Sequence, residues 1–422
     1  MELYIHIPFC VRKCRYCDFY SVPCTDAVYG GSSADRTAYV NALLSELDAR
    51  REELKGEKPK SIFVGGGTPT ILSCDELETF ITGIRASLFP DSADDETEFT
   101  VECNPGTLDA EKLTLMRQLG VNRLSIGLQS ADNRELKALG RIHTFEEFLK
   151  NYETAREVGF CNINVDLMSG IPGQTIASFE KTLRTVAGLD PEHISVYSLI
   201  LEEGTPLFND VETGRVVLPG EDADREMYEL TGKVLAEHGY ERYEISNYAK
   251  TGKECRHNLG YWTGEEYLGL GPAAASYLRD RTCNGVPKEE SVIQEQDGQA
   301  GKSCDQQDHD CTLDDNNSLI MYRYKNPADI KAYMADPAGV RTVEERLDKK
   351  DLMSEYMILR LRLTEGASIS EFAERFGVDL QEVFGETIRK FESLGLLRCT
   401  GDRIVLTEKG LDVANTVMCE FM

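Results

Sequence analysis

Over the first two hundred residues, short apolar runs alternate with amphipathic stretches. The runs lie at residues 3–8, 61–65, 98–103, 123–128, 162–168 and 193–200. Each is rich in Val, Ile, Leu, Phe or Tyr, the composition of a buried strand. The stretches between them carry helix signals. Ser73-Cys-Asp-Glu76 and Thr144-Phe-Glu-Glu147 have the form of capping boxes. Gly120 and Gly159 stand where C-terminal helix caps are expected. Strands alternating with helices predict an α/β fold with a parallel sheet, either doubly wound or a full or partial βα barrel. Periodicity alone does not choose between them.

After about residue 206 the pattern changes. Residues 222–238 read as one amphipathic helix, and an aromatic segment follows over 240–262. From 281 to 318 there are nine acidic and three basic residues and few apolar ones. Such a composition cannot offset the cost of ordering the chain, so it predicts a mobile loop or disordered insertion. Cys304 and Cys311 flank His309 there, a poor metal site in so polar a loop. The last seventy residues have a winged-helix pattern: helices over 352–363, 370–376 and 380–394, then a hairpin over 396–406 turning at Thr400-Gly401-Asp402. This region is net acidic, the wrong sign for reading DNA, so it is expected to be structural or to bind a partner. The expected domains are 1–235, 236–350 and 351–422.

The full chain of 422 residues carries 46 basic and 73 acidic side chains, a net charge of −27. Nucleic acid is therefore a poor partner. No run approaches a membrane span, which leaves at most peripheral membrane contact. Met1-Glu2-Leu3-Tyr4-Ile5-His6 opens directly on a strand pattern without a leader, which predicts a cytoplasmic protein. There the 13 cysteines stay reduced, and an odd count does not suggest a disulfide framework.

Three of those cysteines cluster. Cys10, Cys14 and Cys17 form a C-x3-C-x2-C run at the end of the first predicted strand. Thiolates at this spacing can converge on a small metal centre, and a closed zinc or iron–sulfur site normally takes four protein ligands. Three would leave one iron of a [4Fe–4S] cluster free for a small molecule. Cys24 is a candidate fourth thiolate, though it lies seven residues on, beyond Pro23. Three unrelated buried cysteines is the plainer alternative.

With Tyr16 directly before the third cysteine, the run resembles the radical SAM superfamily. The resemblance implies a partial (β/α)6 TIM-type barrel in which Cys10, Cys14 and Cys17 hold a [4Fe–4S] cluster. It implies that S-adenosylmethionine chelates the free iron and is cleaved by one electron to a 5′-deoxyadenosyl radical. Other residues at strand C-terminal ends agree. Gly65-Gly66-Gly67-Thr68-Pro69 corresponds to the segment meeting the methionine end, through Gly66, Gly67 and Thr68. Glu102, Gln129, Arg141 and Asp166 follow on later strands, Arg141 with His143 two residues on. Carboxylates inside apolar strands are costly unless paired or ligand-bound. With a Gln and an Arg they suit ribose hydroxyls and a methionine carboxylate. An internal Asp166–Arg141 salt bridge is the structural alternative. Tyr4 and Gly269-Leu-Gly271-Pro272-Ala273 complete the resemblance.

Tyr4-Ile-His6-Ile-Pro8-Phe9-Cys10 narrows it to the branch of oxygen-independent coproporphyrinogen III oxidase and the heme chaperones called HemW. It runs over nearly the whole chain except 281–318, and includes Arg323-Tyr-Lys-Asn326 and the small C-terminal domain. Phe19 stands where the oxidase has a further cysteine, and only two residues precede the first strand. His257-Asn258-Leu-Gly-Tyr261-Trp262 matches the H-N-x-x-Y-W motif associated with heme binding. Imidazole is a good axial ligand and aromatic rings suit the macrocycle. Four basic residues against two acidic ones over 242–257 would suit heme propionates. A packed His257 is the bland alternative, and Cys255 a competing thiolate. HemW is the better match. It implies heme binding and delivery to apo-hemoproteins such as respiratory-chain enzymes, with the cofactor site regulating transfer or homodimer formation. Oxidative decarboxylation of coproporphyrinogen propionates is the competing expectation. No catalytic residue is assigned.

Overall fold

The computed structural model describes residues 1–24, 33–54, 57–89, 96–279, 319–339 and 341–422. The acidic stretch 281–318, with Cys304, His309 and Cys311, lies outside the described residues. Six parallel strands form the core: β1 (Glu2–Ile7), β2 (Ser61–Gly66), β3 (Glu98–Cys103), β4 (Arg123–Gln129), β5 (Ile163–Ser169) and β6 (His193–Ser198), hydrogen-bonded in that order. They match the expected strands to within two residues. Crossover helices join them. Both expected capping boxes form, at Ser73/Glu76 and Thr144/Glu147, and Gly159 closes its helix at a φ of 98°. Two further boxes, at Thr175/Ser178 and Asp348/Asp351, were not expected, because Ser and Asp replace the usual Glu or Gln.

The region after residue 206 rejoins the same sheet at both ends. β7 (Asn247–Ala249) pairs antiparallel with β6. β8 (Tyr267–Leu270) lies parallel beside β1, and β9 (Ala275–Arg279), β10 (Met321–Lys325) and β11 (Thr342–Leu347) extend that edge antiparallel. Among the described residues this is a 12-stranded sheet. The aromatic segment 240–262 resolves into two short strands and a helix, Arg256–Trp262.

Alternation along the strands sorts the side chains. Leu3, Ile5, Ile7, Ile62, Val64, Val101, Leu124, Ile126, Val165 and Leu167 are buried in one core with the helix residues Phe80, Ile81, Phe148 and Phe179. The intervening positions face inward and are mostly polar. They include Glu2, Tyr4, His6, Ser61, Glu102, Arg123, Ser125, Asn164, Asp166 and His193. At 347–422 a second core gathers Leu352, Tyr356, Met357, Phe372, Phe376, Ile388 and Phe421. There, helices Lys349–Arg360, Ile369–Phe376 and Leu380–Ser393 pack with a three-stranded sheet whose hairpin turns at Gly401, φ 59°.

One carboxylate ties the first helix to the returning chain. Glu46, on helix Ser33–Ala49, is inaccessible and accepts from Gly271 N–H at 2.8 Å, Tyr333 O–H at 2.7 Å, Asn326 Nδ2 at 2.7 Å and Arg50 Nε at 3.4 Å. Glu46→Ala would leave Gly271 N–H and Tyr333 O–H without this acceptor, while Asn326 and Arg50 keep others, at a cost of about 3 kcal/mol or more. Anaerobic urea unfolding should show that loss. A change below about 1 kcal/mol would mean that the tie contributes little.

Candidate functional site: a cysteine-lined cavity

The strand C-terminal ends open into a cavity of about 340 Å³. Cys10, Cys14 and Cys17 line it with Gly66, Gly67, Thr68, Glu102, Asn104, Ser125, Gln129, Arg141, His143, Asp166 and Tyr197. The three thiols lie in one loop, positioned by residues from other strand ends. Thr68 Oγ1 donates to Cys10 Sγ at 3.6 Å. Asn104 donates to Thr68 Oγ1 at 2.6 Å and accepts from Arg141 Nη2 at 2.6 Å. Arg141 Nη1 reaches Cys14 Sγ at 3.5 Å, and its buried Nε has no acceptor. Burial pushes the Cys10 and Cys17 thiols up, Cys17 to about 11, and the neighbouring Cys14 adds to it. A cationic metal centre is what such a set needs in order to ionise. Among the described residues, no three His, Cys, Asp or Glu side chains converge closely enough for one metal ion. The three thiols are set around the cavity.

Backbone geometry explains the glycines. Gly66 has φ 98°, and a Cβ there would run into the His6 ring. A Cβ on Gly67 would lie 2.6 Å from the Phe9 carbonyl oxygen. The run therefore lets the β2 loop press against β1 while Gly66 N–H points at Glu102 Oε2, 3.0 Å away. Gln129 is a non-glycine with φ 75° beside a register shift in β4. Such strain concentrates at functional sites.

Two carboxylates face the cavity. Asp166 accepts from Asn164 Nδ2 at 2.7 Å and Ser125 Oγ at 3.2 Å. Asn164 is held in turn by His193 Nδ1 at 2.6 Å and Ser195 Oγ at 3.1 Å. Burial raises the Asp166 carboxyl, and burial together with Asp166 raises that of Glu102 to about 7.

The far end of the barrel is closed by helix Arg256–Trp262. Counting five steps along β2, it lies about 16 Å below the glycines. His257 is buried, with its ring stacked on Phe63 at 4.9 Å. Its Nδ1 is 2.6 Å from Ser61 Oγ and its Nε2 3.1 Å from Tyr261 O–H, while burial pushes its pKa down to about 3. Glu98 accepts from the His257 and Arg256 backbone N–H groups. Arg362, from the C-terminal region, covers the Trp262 ring at 4.2 Å.

Residues 4–186 match the radical SAM superfamily, and residues 347–413 match the HemN C-terminal domain. The heme chaperone HemW of Bacillus subtilis (strain 168) is 36% identical over 420 residues, covering 99% of this chain and 98% of that protein. The heme chaperone HemW of Lactococcus lactis subsp. lactis (strain IL1403) is 34% identical, with 99% and 96% covered. The chain belongs to the HemW family. The coproporphyrinogen III oxidase HemN from Escherichia coli, a radical SAM enzyme, shares the fold at a TM-score of 0.76 and 21% identity, over 100% of this chain and 89% of that one.

In this HemW-family chain, the residues expected to hold the cluster and its cofactor meet at the cavity, Cys10, Cys14, Cys17, Gly66, Gly67, Thr68, Glu102, Gln129, Arg141 and Asp166, together with Tyr16, Phe19 and His143. Tyr4 does not line it. Its O–H lies 3.0 Å from His6 Nδ1, deeper in the barrel. His257, Asn258, Tyr261 and Trp262 are at the opposite end. Cys24 donates its N–H to the Cys10 carbonyl but is not a cavity residue. Cys255 is fully buried beside Glu98, which with burial raises its thiol to about 12. An Asp166–Arg141 bridge is not among the ion pairs; Arg141 bonds to Asn104, Gly127 and Cys14 instead. Sequence reasoning missed Asn104, although it follows Glu102 by two positions and so shares its face. It also missed Asn164 and His193, which read as ordinary strand residues.

The Glu102 carboxyl, raised to about 7 in the fold, favours folding below its unfolded value of about 4.3, and that contribution disappears as pH rises through 7. Cofactor-free Glu102→Gln should therefore be more stable than wild type at pH 8 by on the order of 1–3 kcal/mol, a gain that shrinks toward pH 5. Urea midpoints at the two pH values measure it, and a pH-independent difference would contradict the assignment.

Proposed function

We propose that this protein is a heme chaperone, which binds heme and passes it to apo-hemoproteins, with respiratory-chain enzymes as the candidate recipients. The observation that carries the reading is the near end-to-end match to heme chaperones, which spans the barrel, the returning strands and the C-terminal region. The cavity supports a [4Fe–4S] cluster held by Cys10, Cys14 and Cys17 with S-adenosylmethionine beside it, a pair that supplies one-electron chemistry when bound.

The chain's own residues suit that cofactor. Arg141 Nε is a buried donor awaiting an acceptor such as a carboxylate. Glu102 and Asp166 offer acceptors to hydroxyls. Thr68 and Arg141 hydrogen-bond the sulfurs of Cys10 and Cys14 and so hold charge there. Phe19 stands beside the cavity where a further cysteine would suit the oxidase reading. For His257 to ligate heme iron, a bond to Ser61 or Tyr261 has to break and the imidazole has to leave Phe63. Among the described residues no helix is long and apolar enough to cross a membrane; a cytoplasmic location remains part of the proposal.

The test is anaerobic hemin titration of the cluster-loaded protein in the Soret region, followed by mixing with an apo-hemoprotein. Saturable binding and spectral transfer are expected. Conversion of coproporphyrinogen III with CO2 release, in the absence of heme transfer, would overturn the chaperone reading in favour of the oxidase. Separately, Thr68→Val removes a hydrogen bond to a cluster thiolate and should lower the cluster's reduction potential by on the order of tens of millivolts. An unchanged potential in an EPR redox titration would show that the contact has no electronic role.

A further inference from the structure

Four apolar side chains stand exposed at the mouth of the cysteine-lined cavity: Phe19 at 68%, Ile142 at 54%, Tyr197 at 40% and Val11 at 38%. They come from three separate segments: the cysteine loop, the turn after Arg141 and the end of β6. Arg12 and Lys13 stand exposed in the same loop and also line the cavity. Among the described residues neither takes part in an ion pair. In a chain of net charge −27, an unpaired cation couple beside an apolar rim is a local exception. Exposed apolar side chains grouped around a cavity mark a contact surface, and the cations specify an occupant with negative groups at one edge.

We propose that heme docks across this rim, with its macrocycle on Phe19, Ile142, Tyr197 and Val11 and its propionates toward Arg12 and Lys13. The inference rests on the heme-handling reading above and deepens it by placing the heme at the mouth of the barrel, remote from His257. A flat apolar ring with two carboxylates on one edge matches both halves of the surface. None of the six side chains is an imidazole or a thiol. The rim grips the ring and its carboxylates, and Tyr197 O–H is the one group among the six able to ligate iron.

The experiment titrates the full, cluster-loaded chain with hemin under anaerobic conditions. Wild type is compared with the double variants Phe19→Asp/Ile142→Asp and Arg12→Ala/Lys13→Ala. These positions are exposed, and iron and sulfide content confirms that each variant retains its cluster. The apolar pair should weaken binding about tenfold or more, and the cationic pair about threefold or more. Hemin dimethyl ester, which lacks the charges, should bind wild type about as weakly as hemin binds the cationic variant. Wild-type affinity in both double variants would overturn the site while leaving heme binding intact. Normal heme binding with lost delivery would also overturn it, and would assign the rim to the recipient protein. No saturable binding by wild type would remove the heme-handling reading itself.

Discussion

A polar group turned inward from a parallel strand must find a partner, because water cannot follow it. The inner face of this barrel carries Glu2, His6, Glu102, Arg123, Asn164, Asp166 and His193, and their satisfaction organises the molecule. Toward the N-terminal ends of the strands most of them find protein partners, although Arg123 Nε has none. Glu2 accepts from Ser61, Ser61 meets His257, and Glu98 receives the backbone of the floor helix. Toward the C-terminal ends satisfaction is incomplete. Arg141 keeps a free buried N–H, and Glu102 and Asp166 face one another's charge across the cavity. The closed end is filled by packed side chains and the open end holds the cysteine-lined cavity.

That division gives the two motifs different physical characters. The cysteine loop is half-buried and held by hydrogen bonds from Thr68 and Arg141 to sulfur. The His257 helix is a plug, anchored to Phe63 and Ser61 on one side and linked through Trp262 to Arg362 of the C-terminal region. Trp262 and Arg362 join the floor helix to the C-terminal region.

Much of this was legible in the chain. Period and composition located all six core strands and both capping boxes, since each depends only on neighbours in sequence. The cavity residues were legible for a related reason. In a parallel α/β sheet, strand C-terminal ends share one end of the molecule, so Gly66, Glu102, Gln129 and Asp166 had to meet. Edge pairing was not legible. Whether Tyr267–Leu270 joins β1 depends on contacts more than 200 residues apart in the chain, and its apolar run would suit several places. His257 was ambiguous for the same reason. An imidazole among aromatics looks alike as ligand and as packing until Ser61, 196 residues away, is seen at Nδ1.

The most direct test of this account is EPR of the reduced, cluster-loaded protein with and without S-adenosylmethionine, for wild type, Arg141→Ala and His257→Gln. The account predicts about four irons per chain and a spectrum that changes on adding the cofactor. That change should be lost in Arg141→Ala and kept in His257→Gln. A cofactor response that survives in Arg141→Ala but disappears in His257→Gln would contradict it, because the open and closed ends of the barrel would then have been assigned the wrong way round.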